Sequence, residues 1–277
     1  TQMPCGPPLI ALAHSICPSN ALPNLCAGVQ ALLTLPCREL QDPQVLENTI
    51  ARIGLKPNRR GPTLYGLRGA QNMAVTDGMS QHPMQLAPAL LQLSTLQLRS
   101  YLELGVDAGW TLCVATAFLT RFELVEAIGV DITFGQISAA TRHILNRLNV
   151  ALVRRNALAD SRADLCFIDA SHALQNLVAD FNDMQPRCKH VMFHDVSDFD
   201  CWRNAGGGPA RLWAVLKSHV SRDRWTEFVM QPDIYPPTFG IGLLFAGPRV
   251  ALNLTALRHG AEPAGARGVA RQTLQVC

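Results

Sequence analysis

The chain has 277 residues, of which 48% are hydrophobic and 16% charged. That is apolar material for one large α/β domain with an extension, or for two modest domains. Its formal net charge is +3, and its arginines are scattered, the closest pairs being Arg59-Arg60 and Arg154-Arg155. Such a balance argues against a nucleic-acid-binding stripe. No apolar run approaches the roughly 18–20 residues of a membrane span. The short apolar stretch 9–13 lacks the basic flank of a signal peptide.

Residues 1–44 are rich in Pro, Cys, Leu and Ala without a clean period, and are expected to form short helices and irregular structure packed on the main body. Four cysteines fall there, Cys5, Cys17, Cys26 and Cys37. None makes a CxxC pair, which disfavours a zinc knuckle. Free thiols, or one or two disulfides pinning a helix-poor arm, are both open; disulfides would require an oxidising compartment. Apart from that signal, a cytoplasmic or organellar setting is expected. Cys113, Cys166 and Cys188 lie in apolar runs and read as buried small hydrophobes.

Asp42-Pro43 opens a capped helix over 44–53, stopped near Gly54 and Pro57. Residues 56–80 carry Pro, Gly, Asn and Arg and read as a linker or an active-site loop. Apolar residues at 86, 90, 91, 93 and 96 predict a helix over 83–98. Beyond 99 the pattern alternates. Strands are predicted over 99–105, 124–130, 150–153, 163–168, 190–193, 225–230 and 240–245. Helices are predicted over 110–122, 134–148, 174–184 and 209–220. Strands separated by helices of this length make βαβ units: a mostly parallel seven-stranded sheet with helices on both faces. The last two strands are too close for a crossover and should form an antiparallel edge hairpin. The expected organisation is an extension over 1–80, a ligand-binding α/β domain over 81–246 and a loosely held tail over 247–277.

The sharpest segment is Tyr101-Leu-Glu-Leu-Gly-Val-Asp-Ala-Gly-Trp-Thr111. A hydrophobic strand runs into Gly105, and Gly109 opens the next helix, whose N-terminal N–H groups are available to a ligand. The spacing is ExGxxxG. Asp107 stands where a nicotinamide-dinucleotide enzyme would carry its second glycine, which argues against an oxidoreductase of that kind. Asp131 ends the second strand, where an acid accepts from ribose hydroxyls in such sheets. The lesser alternative is a cap for a helix beginning near Phe134.

These motifs, with Gln81-His82-Pro83, Gly129-Val-Asp131, Phe167-Ile-Asp-Ala-Ser-His172, Phe193-His-Asp195 and Gly240-Ile-Gly242, resemble class I S-adenosylmethionine-dependent methyltransferases. More narrowly they resemble the small-molecule O-methyltransferase branch that includes cephalosporin-hydroxylase-like and macrocin-methyltransferase-like proteins. The resemblance covers about residues 79–246. It implies a Rossmann-like sheet and S-adenosylmethionine as cofactor. Glu103, Gly105, Gly109 and Thr111 would line its methionine and ribose side, with Asp169 close by and Asp131 on the ribose. Asn156 would lie near the adenine, or be only a turn residue.

Asp169 and His172 follow the fourth strand, and His194 and Asp195 the fifth, at the strand ends where ligands bind in open α/β sheets. Asp169, His194 and Asp195 are candidate ligands for a hard cation such as Mg²⁺. His172 or His194 would take the proton of a substrate hydroxyl, with Asp195 in support. Each of the four also has an ordinary reading as a cap, core histidine or turn acid. Gly206-Gly-Gly-Pro209 reads as a hinge over this rim, and Trp202 and Arg203 as residues for substrate contact or packing. The family pattern is altered at Ala170, Ser171, Ala173 and Gln175. That change opens a second expectation: a methyltransferase-like subunit acting as a scaffold in a larger assembly. The first expectation is an enzyme methylating a small-molecule or sugar-like hydroxyl, alone or as a homo-oligomer.

Overall fold

The computed structural model describes residues 4–18, 22–54, 79, 81–158, 161–197, 208–229, 240–246 and 252. The linker 56–78, the Trp202, Arg203 and Gly206-Gly207 readings and the tail beyond 252 lie outside the described residues.

In chain order the helices are α1 (Ile10–Ser15), α2 (Pro23–Thr34), α3 (Cys37–Leu40), α4 (Pro43–Ile53), α5 (Pro83–Ser94), α6 (Trp110–Thr120), α7 (Ala139–Arg147), α8 (Leu174–Met184) and α9 (Gly208–His219). The strands are β1 (Ser100–Leu104), β2 (Glu126–Asp131), β3 (Val150–Arg154), β4 (Ala163–Ile168), β5 (Cys188–His194), β6 (Trp225–Phe228) and β7 (Ile241–Leu244). They form one seven-stranded sheet in the order β3-β2-β1-β4-β5-β7-β6. β1 pairs parallel with β2 and β2 with β3. β7 runs antiparallel to both β5 and β6. The expected antiparallel pair at the end of the chain is therefore present, and β7 lies inside it, leaving β6 at the edge. The chain divides into two compact units, Thr1–Asp164 and Leu165–Cys277.

In the first unit the N-terminal segment carries the expected short helices, α1 to α4, and more helix than the helix-poor arm of the disulfide alternative. Leu25, Val29, Leu32 and Leu33 of α2 and Leu46, Ile50 and Ile53 of α4 are fully buried. Each such side chain contributes about 1.5–3 kcal/mol. α2 packs on both α4 and α6, so it is apolar on more than one face, and its period is blurred in the sequence. A Cβ at Gly28 would collide with Ile53; the glycine lets α2 and α4 approach closely. Asp42 caps α4 as predicted, its Oδ1 accepting from the N–H groups of Gln44 at 2.9 Å and Val45 at 3.0 Å.

Two helices differ from their predicted ends by four residues or more. α5 stops at Ser94, not 98, and Gln97 then takes a left-handed φ of 53°. α7 begins at Ala139, not 134, because Ser138 is the cap, its Oγ accepting from Thr141 N–H at 3.0 Å. Asp131 is therefore not the cap of this helix.

The cysteines resolve three ways. Cys5–Cys37 and Cys17–Cys26 form disulfides within the first unit, settling the question left open by their spacing. Cys166–Cys188 form a third, joining β4 to β5; reading these two as free buried hydrophobes is corrected. Cys113 is a free, buried thiol as expected.

In the second unit Phe181, Phe193 and Trp213 stack in series, with ring centroids 5.7 and 5.9 Å apart. Gly242 leaves room for the Trp213 indole, whose Nε1 donates to Glu227 at 2.8 Å. Leu252 is held by the Asn182 side-chain amide, which donates to its carbonyl at 3.0 Å and accepts from its N–H at 3.3 Å.

Candidate functional site

The first unit builds a glycine turn between β1 and α6. Gly105, Asp107 and Gly109 all have left-handed φ, at 92°, 48° and 82°, a region that glycine enters without steric cost and aspartate tolerates. Asp131 fastens this turn. Its Oδ2 accepts from the N–H groups of Val106 at 2.8 Å and Asp107 at 3.4 Å, and its Oδ1 from Thr133 N–H at 3.3 Å. Neither simple reading of Asp131 foresaw that bond to the turn. At Gly109 a Cβ would lie 3.1 Å from Thr141 and 3.3 Å from Leu145, so the same glycine also seats α6 on α7.

α6 has no side-chain hydrogen bond at its N-cap, although Trp110 and Thr111 in its first turn are buried. The first N–H groups of a helix have no partner within it, and the positive end of the helix dipole favours an anion. An uncapped and buried N-terminus fits a ligand bearing a carboxylate, as S-adenosylmethionine does.

Glu103 lies on the same face of β1 as Tyr101 and is buried, accepting from the Tyr101 hydroxyl at 2.6 Å. Its charge, after burial, is the second cause raising the Cys113 thiol pKa. The Thr111 hydroxyl donates to Oε1 of buried Gln81. His82 caps α5, its Nδ1 accepting from Met84 N–H at 3.3 Å. Sequence reasoning quoted Gln81-His82-Pro83 only as a pattern; its work here is to fix the N-termini of α5 and α6. Asn156 stands exposed on a 3-10 turn, Arg155–Ala157, after β3. No hydrogen bond among the described residues ties it to the glycine turn.

The second unit brings its four predicted residues together. Asp195 Oδ2 lies 2.9 Å from His172 Nε2. His194 Nδ1 lies 3.2 Å from Asp195 Oδ1 and 3.3 Å from Asp169 Oδ1. Asp195 and His194 are buried, while His172 is 40% exposed. Asp195 takes a left-handed φ of 60°, a sparsely populated backbone state that turns its carboxylate between the two imidazoles. The electrostatics follow. Burial would lower the His194 pKa, but the charges of Asp195 and Asp169 outweigh it and raise it well above the ordinary value. His172 is raised by its hydrogen bond to Asp195. Burial would raise Asp195, but His194 and His172 together hold it down at about 2.

Asp169, His194 and Asp195 place one ligand atom each within 4.8 Å of one another. Two carboxylates and an imidazole fit a divalent cation, provided His194 gives up the proton that its pKa favours. The imidazole nitrogen suits Mn²⁺ or Zn²⁺ better than Mg²⁺, whose preferred donors are oxygens. Ser171, where the family pattern has an acid, serves the local turn. Its Oγ accepts from Ala173 N–H at 3.4 Å and Asn176 Nδ2 at 3.1 Å. A Cβ at Gly208 would strike the His172 carbonyl, so the first turn of α9 lies directly on the loop carrying His172.

No family model matches the chain, and no curated protein matches it. Among solved structures it is similar to an O-methyltransferase from Bacillus cereus in complex with SAH, at 18% identity and a TM-score of 0.40, covering 56% of this chain and 78% of that one. It is similar to the O-methyltransferase TomG from Streptomyces achromogenes in complex with SAM, at 15% identity and a TM-score of 0.40, covering 58% and 81%. It is also similar to SAH-bound methyltransferase PaMTH1 from Podospora anserina, at 14% identity and a TM-score of 0.43, covering 64% and 83%. Likenesses this distant carry nothing about chemistry. Its own strand order, with β7 antiparallel, gives the chain a Rossmann-like α/β fold.

Proposed function

We propose that this chain is an S-adenosylmethionine-dependent O-methyltransferase acting on a hydroxyl of a small-molecule or sugar-like acceptor. The observation that carries the reading is the buried, uncapped N-terminus of α6 behind a glycine turn fastened by Asp131. That first unit would hold the cofactor, with Glu103, Gly105, Gly109 and Thr111 beside its methionine and ribose, Asp131 at the ribose and Asn156 toward the adenine.

The cofactor supplies an electrophilic methyl group on a sulfonium centre. A divalent cation on Asp169, His194 and Asp195 would add a lowered pKa for the acceptor hydroxyl. The remaining work falls to this chain's side chains. Asp195 accepts from His172 Nε2–H, which fixes the imidazole orientation and leaves the basic lone pair at Nδ1. His172, the more exposed of the two histidines, takes the hydroxyl proton there as general base. Buried His194 holds the Asp169 and Asp195 carboxylates in place. Positioning supplies much of the remaining acceleration.

Three disulfides support an oxidising compartment over a reducing cytoplasm. No helix among the described residues is long and apolar enough to cross a membrane.

A second reading, a scaffold subunit without turnover, is favoured by Ser171, which serves its own turn where the family pattern has an acid. Isothermal calorimetry with S-adenosylmethionine and with its demethylated product, with and without Mn²⁺ or Mg²⁺, separates the readings. Micromolar binding is expected. No heat at millimolar cofactor would overturn the enzyme reading and leave the scaffold.

A further inference from the structure

We propose that Cys5 and Cys37 form a thiol-exchange site, opened by a dithiol reductant ahead of the other two disulfides because a buried guanidinium stands beside both sulfurs. The inference goes beyond the methyl-transfer reading and holds whether or not the chain binds S-adenosylmethionine.

Arg121 follows α6 and is only 1% exposed. Among the described residues no carboxylate pairs with it. Its Nη1 donates to the carbonyls of Leu33 at 3.1 Å and Leu35 at 2.9 Å, with Leu32 at 3.4 Å. These lie at the C-terminal end of α2, where the helix dipole is negative. Nε and Nη2 donate to the Gly6 carbonyl at 3.3 and 2.8 Å. Nη2 then stands 3.5 Å from Cys5 Sγ and 3.6 Å from Cys37 Sγ. A buried cation compensated only by carbonyl dipoles carries a desolvation penalty that a full negative charge would relieve. The disulfide offers no such charge. A thiolate does, so Arg121 stabilises the reduced pair relative to the oxidised one. Stabilising the reduced form makes a disulfide more oxidising.

The surroundings also assign the two sulfurs. Cys37 Sγ lies 3.2 Å from the Cys5 carbonyl and 3.3 Å from the Gly6 carbonyl, against 3.5 Å from Cys5 Sγ to the Gly6 carbonyl, so Cys37 is the better placed S–H donor. Cys37 therefore suits the thiol and Cys5 the thiolate. Both side chains are half-buried, which leaves them open to attack. A thiolate of the dithiol attacks Cys37 Sγ, the Cys5–Cys37 bond breaks, and Cys5 leaves as a thiolate beside Arg121. The second thiol of the reductant attacks the mixed disulfide, closes its own S–S bond and releases Cys37, which takes up one proton. Two electrons pass to the protein; of the two dithiol protons, one stays on Cys37 and the other goes to solvent.

The test uses the full chain equilibrated in stepped ratios of reduced to oxidised dithiothreitol, followed by acid quench, alkylation and mass spectrometry of each cysteine pair. Cys5–Cys37 is expected to open at a ratio at least about tenfold more oxidising than Cys17–Cys26 and Cys166–Cys188, a difference of about 30 mV for a two-electron couple. Opening together with Cys17–Cys26, or after it, would overturn the proposal. In Arg121→Gln, which keeps amide donors and loses the charge, the Cys5–Cys37 midpoint is expected to move about tenfold toward the disulfide while Cys17–Cys26 stays put. An unmoved midpoint overturns it equally. Should that variant not fold, the comparison of the three pairs in the unaltered chain decides alone.

Discussion

Asp195 serves two histidines from one strained position. At a φ of 60° the residues that tolerate the backbone best after glycine are asparagine and aspartate. Asp195→Asn therefore keeps the turn while removing the charge and reversing the hydrogen-bond polarity toward His172. If His172 is the base, kcat falls about 100-fold or more. Cofactor affinity measured by calorimetry stays unchanged, since Asp195 bonds to His172 and His194 and is not among the residues proposed to hold the cofactor. A kcat within threefold of the original would remove the histidine–aspartate pair from the mechanism. Asp131 makes the opposite case. Asp131→Ala strips the acceptor from Val106 and Asp107 N–H and any hold on the ribose, so the dissociation constant for S-adenosylmethionine should rise at least tenfold. The loss of its hydrogen bonds should also lower stability by about 1–2 kcal/mol. A purely structural Asp131 would show the second effect in denaturant melts without the first.

At the scale of elements, the N-terminus of α5 couples stability to pH. His82 is buried, and burial lowers its pKa to about 4 from the ordinary 6.5. The unfolded chain protonates near 6.5 and the folded chain near 4. The folded state thus binds fewer protons in between, and stability is lost as pH falls from 6.5 toward 4. Above 6.5 the contribution is intact. With allowance for solvent screening the loss is about 2 kcal/mol. His82→Asn keeps a capping acceptor and cannot titrate. Urea melts at pH 7 and pH 4.5 should show the unaltered chain losing more stability than the variant; equal losses would mean that His82 protonates freely in place.

The same end of α5 shows what a sequence makes legible. Apolar runs located the strands because β1, β4, β5 and β7 are buried on both faces and apolar almost throughout, while turn residues mark the ends of the only partly buried β3 and β6. The boundaries of α5 and α7 were missed because one local event decided each, a left-handed Gln97 and a Ser138 cap, and neither alters the apolar period. Asp169, His172, His194 and Asp195 were found because they follow predicted strands. Their linkage through Asp195 could not be, since it depends on a single backbone dihedral. Gln81 was legible only as part of a pattern, its partner Thr111 lying 30 residues away, and Arg121 lacked any signal, its carbonyl partners lying more than 80 residues away in sequence.

For the molecule as a whole, the disulfides divide by unit. Two staple the N-terminal helices of the first unit, and the third, Cys166–Cys188, closes a 22-residue separation spanning β4, α8 and β5 in the second. Chain entropy predicts about 3 kcal/mol for a closed loop of that length. The size of the effect depends on the unfolded chain, so it holds even though Cys166 is already buried in an apolar strand where a small side chain packs well. Alanine at both positions is therefore a fair test: it adds no buried polar group and leaves no unpaired thiol. Trp213 and Trp225 lie in this unit and pack edge to face at 6.1 Å; in a background where Trp110 of the first unit is replaced by phenylalanine, they report the unfolding of this unit. The double variant should shift the tryptophan-detected urea midpoint downward by the equivalent of about 3 kcal/mol, while Cys5–Cys37 and Cys17–Cys26 stay oxidised by mass spectrometry. If the midpoint holds, the cross-strand bond contributes nothing beyond the packing of β4 against its neighbours.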